Sequence, residues 1–225
     1  MEYWRRHFDD NAQKFNSLKK QVDMTIGGQE VDDRQVELRV DSIVKNLRLA
    51  SQDVLLDLCC GNGLLTKKIS KYVSHIYAID FSEGLISIAK AKNNSDNITY
   101  IIGDITKMDY GAFPNVNKVC LYSCVQYLDN EGLKGLLKAL SQLKNILVYM
   151  SNIPDKQKIW DYYNTEQKKA FYLRTLKEGK PHIGTWWERN EVQKLAMEYG
   201  FSAEFIEINK EINTSYYRFD VILSN

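Results

Sequence analysis

Asp57, Gly61 and Gly63 close a short run, Val54 to Gly63, in which an apolar stretch ends on an acid, two cysteines and a glycine pair. Glycine carries no Cβ, so backbone N–H groups at the start of a following helix can approach a ligand closely. The acid sets the charge of that ligand. A carboxylate at a phosphate-binding turn would repel the phosphates, whereas a cofactor with a cationic amino group and a cationic sulfur centre would be drawn to it. Asp80 follows roughly 23 residues later, the spacing at which a nucleotide-binding α/β unit sets an acid against ribose hydroxyls. It also opens Asp80-Phe81-Ser82-Glu83, a helix-start pattern, so helix capping is its structural alternative. Gly103-Asp104 marks a further turn with an acid.

Hydrophobic periodicity supplies the elements that must position these residues. A buried-strand pattern over Asp53 to Leu58 precedes helical spacing from Leu64 to Tyr72. Strands at His75 to Ile79, Ile98 to Ile102, Val116 to Tyr122 and Asn145 to Met150 then alternate with helical stripes at Leu85, Ile88 and Ala89 and at Leu133, Leu136, Leu137 and Leu140. Such alternation predicts right-handed crossovers and a parallel sheet covered on both faces. Acids at the carboxyl ends of successive strands then converge on one crevice. A helix over Glu188 to Tyr199, ended by Gly200, leads to strands at Glu204 to Ile208 and Tyr217 to Leu223, close enough to form an antiparallel pair. Ahead of the sheet, Trp4, Phe8, Phe15 and Leu18 share one face of an N-terminal helix. Val36, Val40, Ile43, Val44 and Leu47 share a face of a second, with Asp32 and Asp33 at its positive end. Residues 154–187 break the rhythm with Trp160, Tyr162, Tyr163, Phe171, Tyr172, Trp186 and Trp187, and read as an insertion over the site.

Asp57-Leu58-Cys59-Cys60-Gly61-Asn62-Gly63 resembles motif I of the class I S-adenosylmethionine (SAM)-dependent methyltransferases, a hydrophobic strand followed by Asp/Glu-x-Gly-x-Gly-x-Gly. Cys59 stands where that motif has its first glycine, and a Cys-Cys-Gly form occurs in quinone-biosynthesis relatives of the superfamily. The competing dinucleotide fingerprint requires a third glycine, and Thr66 occupies that position. The resemblance covers roughly residues 50–225 and implies a Rossmann-like α/β sandwich. Its sheet has seven mostly parallel strands in the order 3-2-1-4-5-7-6, with an antiparallel terminal strand. Residues 1–50 would form an N-terminal helical cap, and 51–225 a SAM-binding domain with a lid-like insertion at about 154–187. The implied cofactor is SAM, leaving as S-adenosylhomocysteine (SAH). Its expected contacts are Asp57, Cys59, Gly61, Asn62 and Gly63 in the first loop and Asp80 and Phe81 after the second strand. Asp104 would accept from the adenine amino group, Ile105 would offer a backbone N–H to the ring, and Tyr122 would border the methionine end. Together with Ile26-Gly27-Gly28 and Gly184-Thr185-Trp186-Trp187, the motif looks like methyltransferases of bacterial glycan and small-metabolite pathways.

Methyl transfer is an in-line displacement that needs alignment and exclusion of water more than strong acid or base. An alcohol acceptor still needs a base, and His182 in the insertion is the leading candidate, with Tyr127 as a further catalytic or positioning group. Trp4, His7, Trp186 and Trp187 are the expected acceptor contacts, since aromatic rings can stack on sugars or enclose a cationic methyl group. The segment Tyr122-Ser123-Cys124-Val125-Gln126-Tyr127 is not the Asn/Asp/Ser-Pro-Pro-Tyr/Phe sequence of amino-directed DNA methyltransferases. Net charge is +1 from 30 basic and 29 acidic residues. These features predict a small-molecule methyl acceptor rather than a nucleic acid. No acid cluster suggests magnesium, so no metal requirement is expected. The four cysteines lack zinc or redox spacing and read as reduced, buried thiols, with a four-thiolate metal site as the minor alternative. The absence of a long apolar run predicts a soluble, cytoplasmic protein without a membrane partner, acting as a monomer or homodimer. Two other classes share the pattern: an NAD-dependent oxidoreductase and a non-catalytic SAM-binding subunit.

Overall fold

In the computed structural model, which describes residues 2–180 and 182–225, every side chain of Leu55, Leu56 and Leu58 is fully buried. Burial on both faces is why Val54, Leu55 and Leu56 are consecutive apolar residues rather than an alternation. These residues belong to β1 (Val54–Leu58), the centre of a sheet completed by β2 (His75–Asp80), β3 (Ile98–Ile102), β4 (Lys118–Tyr122), β5 (Leu147–Pro154), β6 (Ser202–Ile206) and β7 (Arg218–Ser224). The strand order is β3-β2-β1-β4-β5-β7-β6, as the resemblance implied. Within this sheet β7 alone runs antiparallel to its neighbours, β5 and β6.

Alternate side chains of the strands feed two apolar layers. Leu56, Leu58, Val119 and Leu121 pack with α6 (Asn130–Leu140) and α9 (Arg189–Glu198). Leu55, Ile76, Ala78 and Cys120 face the other way, onto α3 (Asp33–Asn46), α4 (Leu64–Ile69) and α5 (Glu83–Lys92). The stripe Leu133, Leu136, Leu137 and Leu140 is fully buried. Each such leucine contributes about 1.5–3 kcal/mol. Local signals fix the helix ends as expected: Asp32 accepts from Gln35 N at 2.8 Å, and Gly200 takes φ +83° past the end of α9.

Several boundaries differ from the periodicity, among them that of β6, which spans Ser202–Ile206 rather than Glu204–Ile208. The N-terminal amphipathic segment is two helices, α1 (Glu2–Lys14) and α2 (Leu18–Gln21), because Ser17 caps the second by accepting from Lys20 N at 3.3 Å. β5 runs to Pro154 rather than Met150, across an irregularity between Met150 and Ile153 where Asn152 takes φ +62°. Buried Asp220 compensates the broken ladder by accepting from Asn152 N at 2.7 Å and Ser151 Oγ at 3.0 Å. The insertion is itself helical, with α7 (Ile159–Tyr162) and α8 (Glu166–Lys177). Its base is closed where Lys156 N donates to Trp187 O and Trp187 N to Pro154 O, both at 2.9 Å. No helix among the described residues is long and apolar enough to cross a membrane.

Candidate functional site

The turn after β1 is built by left-handed backbone at Cys59 (φ +64°), Gly61 (+56°) and Gly63 (+76°). Glycine is required at Gly63, where a Cβ would meet the Tyr100 ring at 3.0 Å and Ala89 at 3.2 Å. Cys59 carries its side chain in a conformation that ordinarily favours glycine, which accounts for the glycine at this place in motif I. The four-thiol expectation is corrected here. Cys59 is joined to Cys124 as a disulfide, with Cα atoms 6.0 Å apart, because adjacent β1 and β4 deliver the two loops side by side. Cys60 and Cys120 remain free, and the described residues hold no group of three or more His, Cys, Asp or Glu side chains that could hold a metal ion.

Asp57, Cys59, Gly61, Asn62, Asp80, Phe81 and Tyr122 all line one cavity at the carboxyl ends of β1, β2 and β4. Asp57 Oδ2 accepts from Thr66 Oγ1 at 2.6 Å, so the residue at the missing third glycine holds the acid instead. Asp80 receives Gly61 N and Ser82 N, each at 2.9 Å, and thereby ties the first loop to the second strand. The side chain of Asn62 is spent on the fold, donating to Leu18 O at 2.7 Å and Gln21 Oε1 at 2.9 Å and so seating α2. Gly63 caps α4 just behind the cavity wall. Asp104 and Ile105 are not brought into this cavity. Asp104 lines a neighbouring one and accepts from Thr106 N and Oγ1 at 3.0 and 2.7 Å, while Ile105 is buried in the main apolar layer. Between these two cavities stands α1, whose Trp4 packs on Tyr127 with ring centroids 4.6 Å apart and whose Phe8 packs on Phe81 at 6.3 Å.

A larger cavity adjoins the first, and Val22, Met24, Ser123 and Tyr127 belong to the walls of both. Trp4, His7 and His182 line it. His182 Nδ1 lies 3.2 Å from Tyr163 Oη, and burial pushes its pKa down, so the imidazole is neutral near pH 7. His7 is pushed the other way by its hydrogen bond to Asp23 Oδ2, at 2.7 Å. Burial pushes the Tyr127 phenol well above its ordinary range, which keeps it protonated, a hydrogen-bond donor rather than a base. Trp186 borders the third cavity, next to Gly184 and Thr185. Trp187, expected as an acceptor contact, lines none of these three cavities: it is 2% exposed, turned into the main core, and donates Nε1–H to Val125 O at 3.1 Å.

Periodicity missed three residues. Asp9 of α1 accepts from Ser82 Oγ at 2.6 Å and docks the cap onto α5. Arg39 and Arg218 line the larger cavity. A signal existed for Arg39, a charge three residues after Val36 on the apolar stripe of its helix.

Both acids of the first cavity are buried, and burial pushes each up to about 6 without a cationic side chain among the causes. Two buried carboxylates without a cation are unfavourable unless the ligand supplies positive charge. The sulfonium and amino group of SAM would do so, and its ribose matches the acid after β2.

A family model described as "Methyltransferase domain" matches residues 55–145. A probable cobalt-precorrin-6B C(15)-methyltransferase (decarboxylating) of Methanocaldococcus jannaschii is 31% identical over 157 residues, covering 64% of this chain and 80% of that protein. The malonyl-[acyl-carrier protein] O-methyltransferase of Bacillus cereus is 41% identical over 99 residues, 42% of this chain and 36% of that protein. A probable ribosomal RNA small subunit methyltransferase A of Thermococcus onnurineus is 34% identical over 80 residues, 36% of this chain and 28% of that protein. The chain thus spans about a third of the length of the latter two, and the names do not single out one class of acceptor. Among solved structures, a SAM-dependent methyltransferase from Anabaena variabilis has a TM-score of 0.67 at 16% identity, over 100% of this chain and 94% of that one. With the strand order, the acid-and-glycine loop and a relative matched over four-fifths of its length, the chain belongs to the class I SAM-dependent methyltransferases.

Proposed function

We propose that the protein transfers the methyl group of SAM to an oxygen or nitrogen atom of a small polar metabolite, with sugars and nucleotide-sugars as the leading candidates. One observation carries this reading: the acid-lined cavity and the larger cavity share Val22, Met24, Ser123 and Tyr127, so a cofactor in one would abut an acceptor in the other. Asp57 would face the amino group and Asp80 the ribose. Bound there, SAM supplies an electrophilic methyl group. Helix α1 and the insertion flank the larger cavity with Trp4, Tyr162 and Phe171, which favours a small acceptor and would exclude water. A nucleic-acid acceptor of the sort named for one relative would call for an open basic face, and the net charge of +1 does not favour one.

His182 is the proposed base. When Nδ1–H donates to Tyr163 Oη, Nε2 keeps a lone pair for the acceptor proton. Tyr127, held protonated, can donate to an acceptor oxygen. His182→Ala should lower turnover about a hundredfold or more while leaving SAH affinity in place. Wild-type turnover at saturating acceptor would remove His182 from this role.

The buried acids predict a pH dependence. Asp57 and Asp80 rise from 3.8 to about 6 on folding, so the stability they contribute without ligand is fully present below the unfolded value and is lost as pH rises through 6. A cationic ligand needs the ionised forms. SAM affinity should therefore tighten from pH 5 to pH 7, by up to about tenfold per pH unit for each acid that must ionise. Calorimetric titration across that range checks this, and a flat profile would contradict it.

The reading is tested by incubating the protein with isotope-labelled SAM and fractionated metabolites. Label in one small-molecule fraction is expected. Label in RNA instead, or none despite saturation with SAM, would overturn it.

A further inference from the structure

Arg39 and Arg218 line the larger cavity, and among the described residues neither meets a carboxylate. Arg39, on α3, is 3% exposed. Its Nη1 donates to Gln35 O at 2.5 Å and Gln35 Oε1 at 3.2 Å, and its Nη2 to Asn213 Oδ1 at 2.6 Å, all neutral acceptors. Arg218, on β7, donates from Nη1 to Asn152 O and to Gln126 Oε1, the latter at 3.4 Å. Its guanidinium carbon lies 4.9 Å from the Tyr217 ring centroid, and its Nε is buried without a partner. Burying a guanidinium is costly unless an opposite charge offsets it.

Asp220 on β7 is close enough for its charge and that of Arg218 to act on each other, but its oxygens already accept from Tyr149 Oη, Ser151 Oγ and Asn152 N. Asp23 is engaged by His7 at 2.7 Å and by Asn11 at 3.0 Å, and Glu178 lies 3.9 Å from Arg174. Lys180 adds a further cation at the wall. Between the arginines, Thr214 Oγ1 donates to Asn152 Oδ1 at 2.6 Å and Asn152 Nδ2 donates to Ser123 Oγ. This network ties the ends of β4 and β5 to the loop before β7 and fixes Asn152, whose carbonyl accepts from Arg218.

We propose that the methyl acceptor is an anion, and that its carboxylate or phosphate is held in the larger cavity by Arg218 and Arg39. The planar fork of arginine suits both oxyanions, and an anion there would complete the hydrogen bonding that the protein leaves open. This inference rests on the methyltransferase reading and adds the charge of the substrate to it. The same guanidinium groups could instead meet the carboxylate of SAM itself, so the test separates the two sources.

The experiment uses the full chain saturated with SAH and labelled with ¹⁵N-arginine. Sodium phosphate and sodium benzoate are titrated in separately while the arginine Nε–H resonances are followed by NMR. Saturable shifts at Arg218 are expected from at least one probe. That affinity should fall about tenfold or more in Arg218→Gln and less in Arg218→Lys. SAH affinity of Arg218→Gln should stay within about twofold of wild type, because Arg218 lines the larger cavity and not the acid-lined one. A purely structural arginine would lower the melting temperature of the variant without changing the anion titration, and that result would overturn the proposal. So would the absence of saturable binding by either probe. A tenfold loss of SAH affinity in Arg218→Gln would assign the arginine to the cofactor carboxylate and also overturn it. Failure of the wild-type protein to bind SAH would instead remove the methyltransferase reading, and this inference with it.

Discussion

Asp80→Ala is expected to weaken SAH binding about a hundredfold in a protein that still folds. The carboxylate receives Gly61 N and Ser82 N at 2.9 Å each, so its loss frees the cofactor loop from β2 in addition to removing the proposed ribose contacts. Hydrogen bonds to a charged group are worth about 1.5–3 kcal/mol each, and two of them already exceed a factor of one hundred at the lower end of that range. Asp80→Asn keeps one acceptor oxygen for the backbone and should fall between alanine and wild type. Calorimetry with SAH measures the affinities, and circular dichroism checks the fold. An unchanged dissociation constant in folded Asp80→Ala would sink the assignment.

Gly184→Ala should separate acceptor chemistry from cofactor binding. Gly184 has φ +103°, and a Cβ there would press into the Gln126 carbonyl, which is backbone and cannot rotate away. That carbonyl also receives Thr185 N at 2.8 Å, while Thr185 Oγ1 donates to Leu128 O at 2.8 Å. The methyl group therefore forces the end of the insertion off the loop that follows β4. Destabilisation of about 3 kcal/mol is expected, a fall in melting temperature of roughly 6–12 °C. Gly184 is not part of the acid-lined cavity, so SAH affinity should hold while turnover collapses. Wild-type melting and turnover together would show that the insertion does not depend on this contact.

Much of the fold is legible in the sequence because burial leaves a periodic trace. Apolar runs such as Val54-Leu55-Leu56 and Val119-Cys120-Leu121 mark β1 and β4, and the stripe Leu133, Leu136, Leu137, Leu140 marks α6. The acids Asp57 and Asp80 are legible because strand ends in an open α/β sheet share one edge. Asp104 obeyed the same rule of spacing but faces the neighbouring cavity, since α1 intervenes with Trp4 and Phe8, and a helix from the far end of the chain leaves no signal near residue 104. Trp187 departs from its expected place for a related reason. Its aromatic neighbours suggest a ligand surface, yet the closure of the insertion against Pro154 turns it inward. The order 3-2-1-4 already sets β1 beside β4, so the nearness of Cys59 and Cys124 is legible, whereas their bonding depends on the geometry of the two loops, which spacing does not reveal. Arg218 and Asn152 depend on the irregularity in β5, where the ladder breaks and one residue takes a left-handed conformation.

The central claim is that Asp57 and Asp80 form a SAM site in a chain that uses it. Titrating the purified protein with SAM and, separately, with NAD tests this most directly. One equivalent of SAM should bind near pH 7, with affinity lost in Asp80→Ala and no binding of NAD. Saturable binding of NAD, or no binding of SAM by the folded wild-type protein, would contradict the account.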